Sequence, residues 1–156
     1  MNSQTLLSLY LVLHISGFTL MGGTIIADFA VYRRLNKYLI TDKNKALTML
    51  ESSAIFPVLI SIGAALLIIT GVSMVIVIPG FTGMLWFRIK MILVLFIILN
   101  GALMARPAGT RLKKSLLENT NADNAKIEGL KNKLSIIYIS QLILLLVIFT
   151  LSVFKF

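Results

Sequence analysis

Four long apolar segments constrain what this chain can fold into. They are residues 5–31, 54–78, 84–105 and 134–154. A helix needs roughly 20 predominantly apolar residues to cross a hydrocarbon core of about 30 Å, and each segment meets that length. The chain has 156 residues, of which 58% are apolar, so it has too little polar sequence to enclose four such helices in water. We therefore predict a polytopic integral membrane protein.

The spans are predicted to be helices. In lipid, every backbone N–H and C=O must be satisfied within the protein, which allows only helices and closed barrels. Residues 142–148 form an unbroken apolar run without the alternation of a barrel strand. The sequence therefore predicts an all-α, four-helix membrane bundle forming a single transmembrane domain over residues 1–156. Segments 32–53 and 106–133 are the predicted loops on one side.

Basic residues orient this bundle. The chain has 15 Lys and Arg against six Asp and Glu, and 12 of the basic residues lie in the two predicted loops. They are Arg33, Arg34, Lys37, Lys43, Lys45, Arg106, Arg111, Lys113, Lys114, Lys126, Lys131 and Lys133. Excess Lys and Arg mark the cytoplasmic side. Both loops are therefore predicted to be cytoplasmic, with both termini and the Pro79-Gly80 turn outside.

The same charges predict partners and location. Basic loops next to spans meet anionic lipid headgroups first, so we expect membrane lipids, and no nucleic acid, as partners. We also expect homo-oligomers in a bacterial-type inner (plasma) membrane. Nothing charged precedes the first segment and Arg33-Arg34 follow it. This pattern favours an uncleaved anchor over a signal peptide.

Local signals mark where helices start and bend. Thr41-Asp42 precedes helix-forming residues 43–52, which predicts an N-cap. Pro57 predicts a bend near Ser53. After a polar break at 119–124, residues 125–133 are predicted to start the fourth helix before it enters lipid.

His14 is the first candidate for chemistry. It is the only histidine, and it lies roughly 13 Å along the first span, in the predicted outer half. An ionisable group inside a membrane marks a candidate functional site. It is either a haem or metal ligand, a proton-transfer group, or a simple hydrogen bond between helices. One histidine and no cysteine argue against a closed zinc site.

The helical spacing of the first span defines two faces. Spacings of three and four residues add to the face of His14 the residues Gly17, Met21, Thr24 and Asp28. We expect this face to point into the bundle. Gly22, Gly23 and Ala27 form a neighbouring small-residue face that predicts a close helix contact.

Two cations open the third span. Arg88 and Lys90 are about 200° apart around the helix, so they point in different directions. We expect Arg88 to reach back to headgroups and Lys90 to face the core. All six carboxylates lie at the inner end or in the inner loops. A buried cation without a nearby carboxylate predicts an anionic ligand, a lipid phosphate or a partner subunit.

A second polar group is predicted in the inner half. It comprises Asp28, Asn100 and Gln141, from three different spans at comparable depths. An interhelical hydrogen-bond network is favoured over an ion pathway, because an unsatisfied polar group in lipid is costly. Arg33, Arg34 and Arg106 are nearby candidates to pair with Asp28.

Several short motifs, in this order, resemble the four-helix membrane family of HemJ-type protoporphyrinogen oxidases and CopD-type copper-resistance membrane domains. The motifs are Leu13-His14-Ile15-Ser16-Gly17, Gly22-Gly23, Tyr32-Arg33-Arg34, Met49-Leu50-Glu51, Thr70-Gly71, Trp86-Phe87-Arg88-Ile89-Lys90 and Phe154-Lys155-Phe156. The resemblance implies that His14 binds haem b or lies near a porphyrin. It also implies that Lys90 holds an acidic substrate or a propionate. The family pattern has a further histidine where this chain has Asn100-Gly101, so two histidine ligands to one haem cannot come from one chain.

Three functions follow from these observations. The first is a redox, porphyrin-handling or metal-handling protein with its site in the outer half, at His14, Lys90 and Arg88. The second is an oligomeric channel or small-solute transporter lined by the His14-to-Asp28 face. The third is a membrane scaffold or lipid-binding subunit without chemistry. Whether the chain is an enzyme stays open at this point.

Overall fold

A computed structural model describes residues 2–78, 80, 83–117 and 124–154, without the side chains of residues 40, 102, 106 and 124–127. Within these ranges all regular secondary structure is helical, as predicted. The α-helices are α1 (Ser3–Thr41), α2 (Lys43–Ser52), α3 (Phe56–Val77), α4 (Leu85–Asn100), α5 (Arg106–Leu117) and α6 (Asn124–Val153). A 3-10 turn (Ser53–Ile55) joins α2 to α3, and a π-helical turn (Gly101–Ala105) joins α4 to α5.

Four helical stretches are long and apolar enough to cross a membrane. They are Ser3–Leu39, Lys43–Val77, Leu85–Leu117 and Glu128–Val153. Each contains most of one predicted span, so the prediction of four long apolar helices is confirmed. The Pro79-Gly80 turn lies largely outside the described residues, as do Lys155, Phe156 and the polar break before Asn124.

The start of the second stretch follows the local signals. Asp42 caps α2, because its carboxylate accepts a hydrogen bond from the backbone N–H of Lys45 at 3.1 Å. That hydrogen bond, with the nearby Lys45 side chain, holds the pKa of Asp42 below its usual range. The 3-10 turn at Ser53 and the position of Pro57 in the first turn of α3 agree with the predicted bend.

The segments predicted as loops are helical over most of their described length. α1 continues to Thr41, and the third stretch continues past Ala105 through the π-helical turn into α5. Pro107 follows the π-helical turn by two residues and does not end this stretch. α6 begins at Asn124, as the predicted helical start of the fourth span requires.

Two separate hydrophobic cores hold these helices together. The span core lies within the predicted spans and consists of Met21, Ile25, Ala64, Leu67, Ile97, Leu145 and Ile148. The cap core lies in the basic segments, with one member at the start of the fourth span. It consists of Tyr32, Leu35, Leu39, Ala46, Ala108, Leu112, Leu116 and Leu134. The predicted loops therefore form a packed helical cap on one end of the bundle.

Glycines bring α1 and α3 into backbone contact. A Cβ added to Gly63 would lie 2.8 Å from the Met21 nitrogen and 2.9 Å from the Gly17 oxygen. The close contact predicted for Gly22, Gly23 and Ala27 is different: Gly22 packs against Leu145, while no described atom lies within 4 Å of a Cβ added to Gly23. Gly23 and Ala27 are exposed. The observed close contact between helices therefore lies on the side of α1 that carries His14, and not on the predicted side.

Candidate functional site

His14 joins α1 to α3 through a hydrogen bond with Thr70. The two atoms, Nδ1 of His14 and Oγ1 of Thr70, are 2.9 Å apart. Thr70 is buried, with 2% of its surface exposed, whereas His14 is partly exposed. The histidine lies over Gly71, where an added Cβ would be 3.5 Å from its Cε1 atom. We call this end of the bundle the His14 half and the opposite end, with the cap, the Asp28 half.

The hydrogen bonds of Thr70 assign the proton on the imidazole. The Thr70 hydroxyl lies 2.6 Å from the carbonyl of Leu66. When the hydroxyl donates to that carbonyl, its oxygen accepts from Nδ1 of His14, and Nε2 of the neutral imidazole keeps a lone pair. This bond is the simple hydrogen bond between helices that the sequence offered as one alternative for His14. It also holds the ring in the way that ligand-binding histidines are held, through the nitrogen that does not bind the ligand.

Lys90 lies in the same region of the bundle as His14, whereas Arg88 lies in a different environment. The Lys90 ammonium is close enough to His14 for its charge to act on the imidazole. Lys90 is partly buried, while Arg88 two residues earlier is exposed. Both cations make interactions within the chain. His14 and Lys90 thus lie within range of a Coulomb interaction, while Arg88 is exposed.

Asp28 pairs with a residue that the sequence did not indicate. Its Oδ2 accepts a hydrogen bond from the Tyr138 hydroxyl at 3.1 Å, and Tyr138 packs against the ring of Tyr32 with centroids 4.8 Å apart. Arg33 and Arg34 are exposed, and the side chain of Arg106 lies outside the described set. Tyrosine in an apolar run is typical of membrane interfaces, so the sequence carried no signal for Tyr138 as a partner.

The other two members of the predicted inner network make separate contacts. Nδ2 of Asn100 donates to Ser140 Oγ at 2.9 Å, and its buried Oδ1 has no hydrogen-bond partner in the described part of the chain. Gln141 is buried, with 4% of its surface exposed. Asp28, Asn100 and Gln141 thus lie on three neighbouring spans, but within the residues described no hydrogen bond links one to another.

A cavity of about 570 Å³ opens in the Asp28 half. Asp28, Tyr138 and Gln141 line it together with apolar residues of α1, α3 and α4. His14 and Lys90 do not line it. The sequence favoured the outer half as the place for a site, whereas this cavity lies at the other end. A cavity is formed by the register of several helices, which no local motif reveals.

The donor set restricts what metal chemistry is possible. Among the described residues, no group of three or more His, Cys, Asp or Glu side chains could hold a bare metal ion. A haem needs only one or two protein ligands, because its porphyrin nitrogens occupy the other positions of the iron. One oriented histidine with a nearby ammonium is therefore compatible with haem or porphyrin and offers little to a free metal ion. In comparisons with protein-family models, curated proteins and solved structures, none matches the chain.

Proposed function

We propose that this chain is a multi-pass protein of a bacterial-type inner membrane that binds haem b or a related porphyrin in its His14 half. In this proposal both termini lie outside and the basic cap lies in the cytoplasm. The observation that carries the ligand assignment is the His14–Thr70 pair, which fixes the ring and leaves Nε2 as a lone-pair donor. The resemblance to HemJ-type and CopD-type proteins supports the same position.

The charges near His14 support an acidic ligand. Lys90 is close enough to act on His14 and provides the positive charge that a propionate needs. Thr70 orients the ring by accepting its Nδ1 proton, which fixes the tautomer and strengthens Nε2 as a ligand. When bound through iron, the haem supplies one-electron chemistry. One chain provides a single histidine, so a second histidine ligand would come from another copy or another molecule.

Haem titration tests the proposed ligand. Purified protein in lipid nanodiscs is titrated with haemin and followed by its Soret band. We expect saturable binding for the native chain, loss for His14→Ala, and weaker binding for Thr70→Val because the ring loses its orienting acceptor. Loss of a hydrogen-bond partner that orients a ligating histidine costs about 10–100-fold in affinity.

Matched charge variants control this experiment. Lys90→Gln should weaken the binding of porphyrins with free propionates but not of their dimethyl esters, and Arg88→Gln should change neither. Identical haem titrations for the native chain and His14→Ala, or no saturable Soret change, would exclude the site. Thermal unfolding of each variant shows whether a loss of binding is only a loss of fold.

Cysteine labelling tests the proposed topology. The chain contains no cysteine, so single substitutions give unambiguous sites for a membrane-impermeant maleimide. In intact cells or spheroplasts, Asn2→Cys should react, while Lys37→Cys and Lys114→Cys should react only after permeabilisation. The reverse pattern would overturn the orientation, and equal labelling of all three would overturn membrane insertion.

A further inference from the structure

The cavity in the Asp28 half has the dimensions of a small-molecule site. Its volume of about 570 Å³ lies within the range of about 300–1,000 Å³ found for ligand pockets. Most of its wall is apolar and includes Met21, Ile25 and Ile97. None of the residues assigned above to the haem site takes part. The cavity therefore needs its own explanation.

Asp28 places a carboxylate in the wall of this cavity. Its Oδ2 is held by the Tyr138 hydroxyl, and within the described ranges no salt bridge reaches either oxygen. A carboxyl group withdrawn from water either takes up a proton or stays ionised because charges or hydrogen bonds replace the water. Oδ1 is thus available to a ligand that brings a positive charge and N–H donors.

Gln141 is a second polar group in the same wall. Only 4% of its surface is exposed, and its amide makes no hydrogen bond among the residues that the structure describes. Its Nε2 lies beside Gly101, where an added Cβ would be 3.4 Å away. Among the described residues, the fully buried polar atoms without a partner belong to Asn36 and Asn100, so the Gln141 amide opens on the cavity, where water or a ligand can bond to it. Its oxygen can accept from the same donor group as Asp28.

The cation in the cavity lining, Lys113, already has an acidic partner. Lys113 lines the cavity, but its Nζ lies 3.4 Å from Oε1 of Glu51. This ion pair joins α5 to α2, and among the described side chains, which do not include Arg106, no cation pairs with Asp28. The electrostatics therefore favour a cation over an anion as occupant.

From these observations we infer that the cavity binds a small amphipathic organic cation, with an ammonium group on Asp28 and Gln141 and an apolar body against the helices. The apolar wall holds an alkyl or aromatic group, and the carboxylate and amide fix its charged end. This site is separate from the haem site and does not depend on it.

Binding of hexylamine tests the inference, since this amine is charged at neutral pH like a lysine side chain. Radiolabelled hexylamine is added to the full chain in nanodiscs of zwitterionic lipid, and protein-free nanodiscs provide the background. We expect saturable binding of one amine per chain. Asp28→Asn should weaken it at least about tenfold, because the charge partner is lost while a similar shape remains.

A second variant blocks the cavity without touching its charge. Gly109 lines the cavity and has open space around an added Cβ, so Gly109→Leu should occlude the site and reduce binding by a similar factor. Gly129 is also a helix glycine with open space, outside the cavity lining, so Gly129→Leu is its control. Asp42→Asn is the matched control for the carboxylate and should bind normally.

Three results would overturn the inference. They are the absence of saturable binding, unchanged affinity in the folded Asp28→Asn or Gly109→Leu protein, and equal affinity for hexanol, which would show apolar partition alone. If Asp28→Asn does not fold, Gly109→Leu decides the question. Haem titration of the same samples separates this outcome from failure of the His14 site.

Discussion

The span core and the cap core are both apolar, yet they are built differently. In the span core, Gly17 and Gly63 allow backbone contact between α1 and α3. In the cap core, leucines from α1, α5 and α6 fill the space between helices. Lipid tails are as apolar as leucine, so burying a leucine between spans contributes little to the free energy of helix association. Close packing and hydrogen bonds are then the main attractive interactions between spans. In water, removal of apolar surface is the main driving force. In the proposed topology, with lipid around the spans and water around the cap, the two solvents account for the difference.

The largest loss of stability is expected for a substitution in the cap core. Leu112 is fully buried there, and Leu112→Ala should lower the free energy of unfolding by about 2–5 kcal/mol through lost burial and the cavity left behind. Denaturant or thermal unfolding in mild detergent measures it. Leu117→Ala, on the same helix at a position 60% exposed, is the matched control and should have a much smaller effect. Equal effects would show that the cap is not a packed core.

A smaller effect is expected in the span core. Gly63→Ala should destabilise by about 1–3 kcal/mol, because the new methyl meets backbone atoms of α1 that cannot rotate away. The same unfolding experiment measures it in detergent or nanodiscs.

Gly23→Ala tests whether that effect comes from helix approach. It makes the same change on an exposed face of α1 with open space around the added Cβ, and it should be neutral or slightly stabilising. A loss of stability as large as for Gly63→Ala would mean that the sensitivity comes from glycine in a helix and not from contact between α1 and α3.

Much of the secondary structure could be predicted from local signals. The apolar runs predicted four helices, Asp42 predicted an N-cap, and Pro57 predicted a bend where the 3-10 turn Ser53–Ile55 is found. These features depend on a few neighbouring residues. The face from His14 to Asp28 also follows from helical spacing, and its middle residues are buried.

Other features depend on register between helices and could not be predicted. The adjacent pair Gly22-Gly23 is more conspicuous than Gly17 and Gly63, which are 46 positions apart yet in contact. The Tyr138 partner of Asp28 and the cavity beside it require α1 and α6 to be aligned in space. The third span was predicted to end at residue 105, but the helix continues past it through the π-helical turn into α5.

α1 and α6 each pass unbroken through both cores, whereas the other two long stretches are interrupted by the 3-10 turn or the π-helical turn. α1 is one continuous helix that meets α3 closely at Gly17. From Gly17 to Leu39 the helix extends about 33 Å, so a rigid tilt of about 5° at Gly17 would move Leu39 by about 3 Å. That is comparable to the length of a hydrogen bond. The same helix carries His14 at one end and part of the cap core at the other, so a rigid tilt of α1 would displace both.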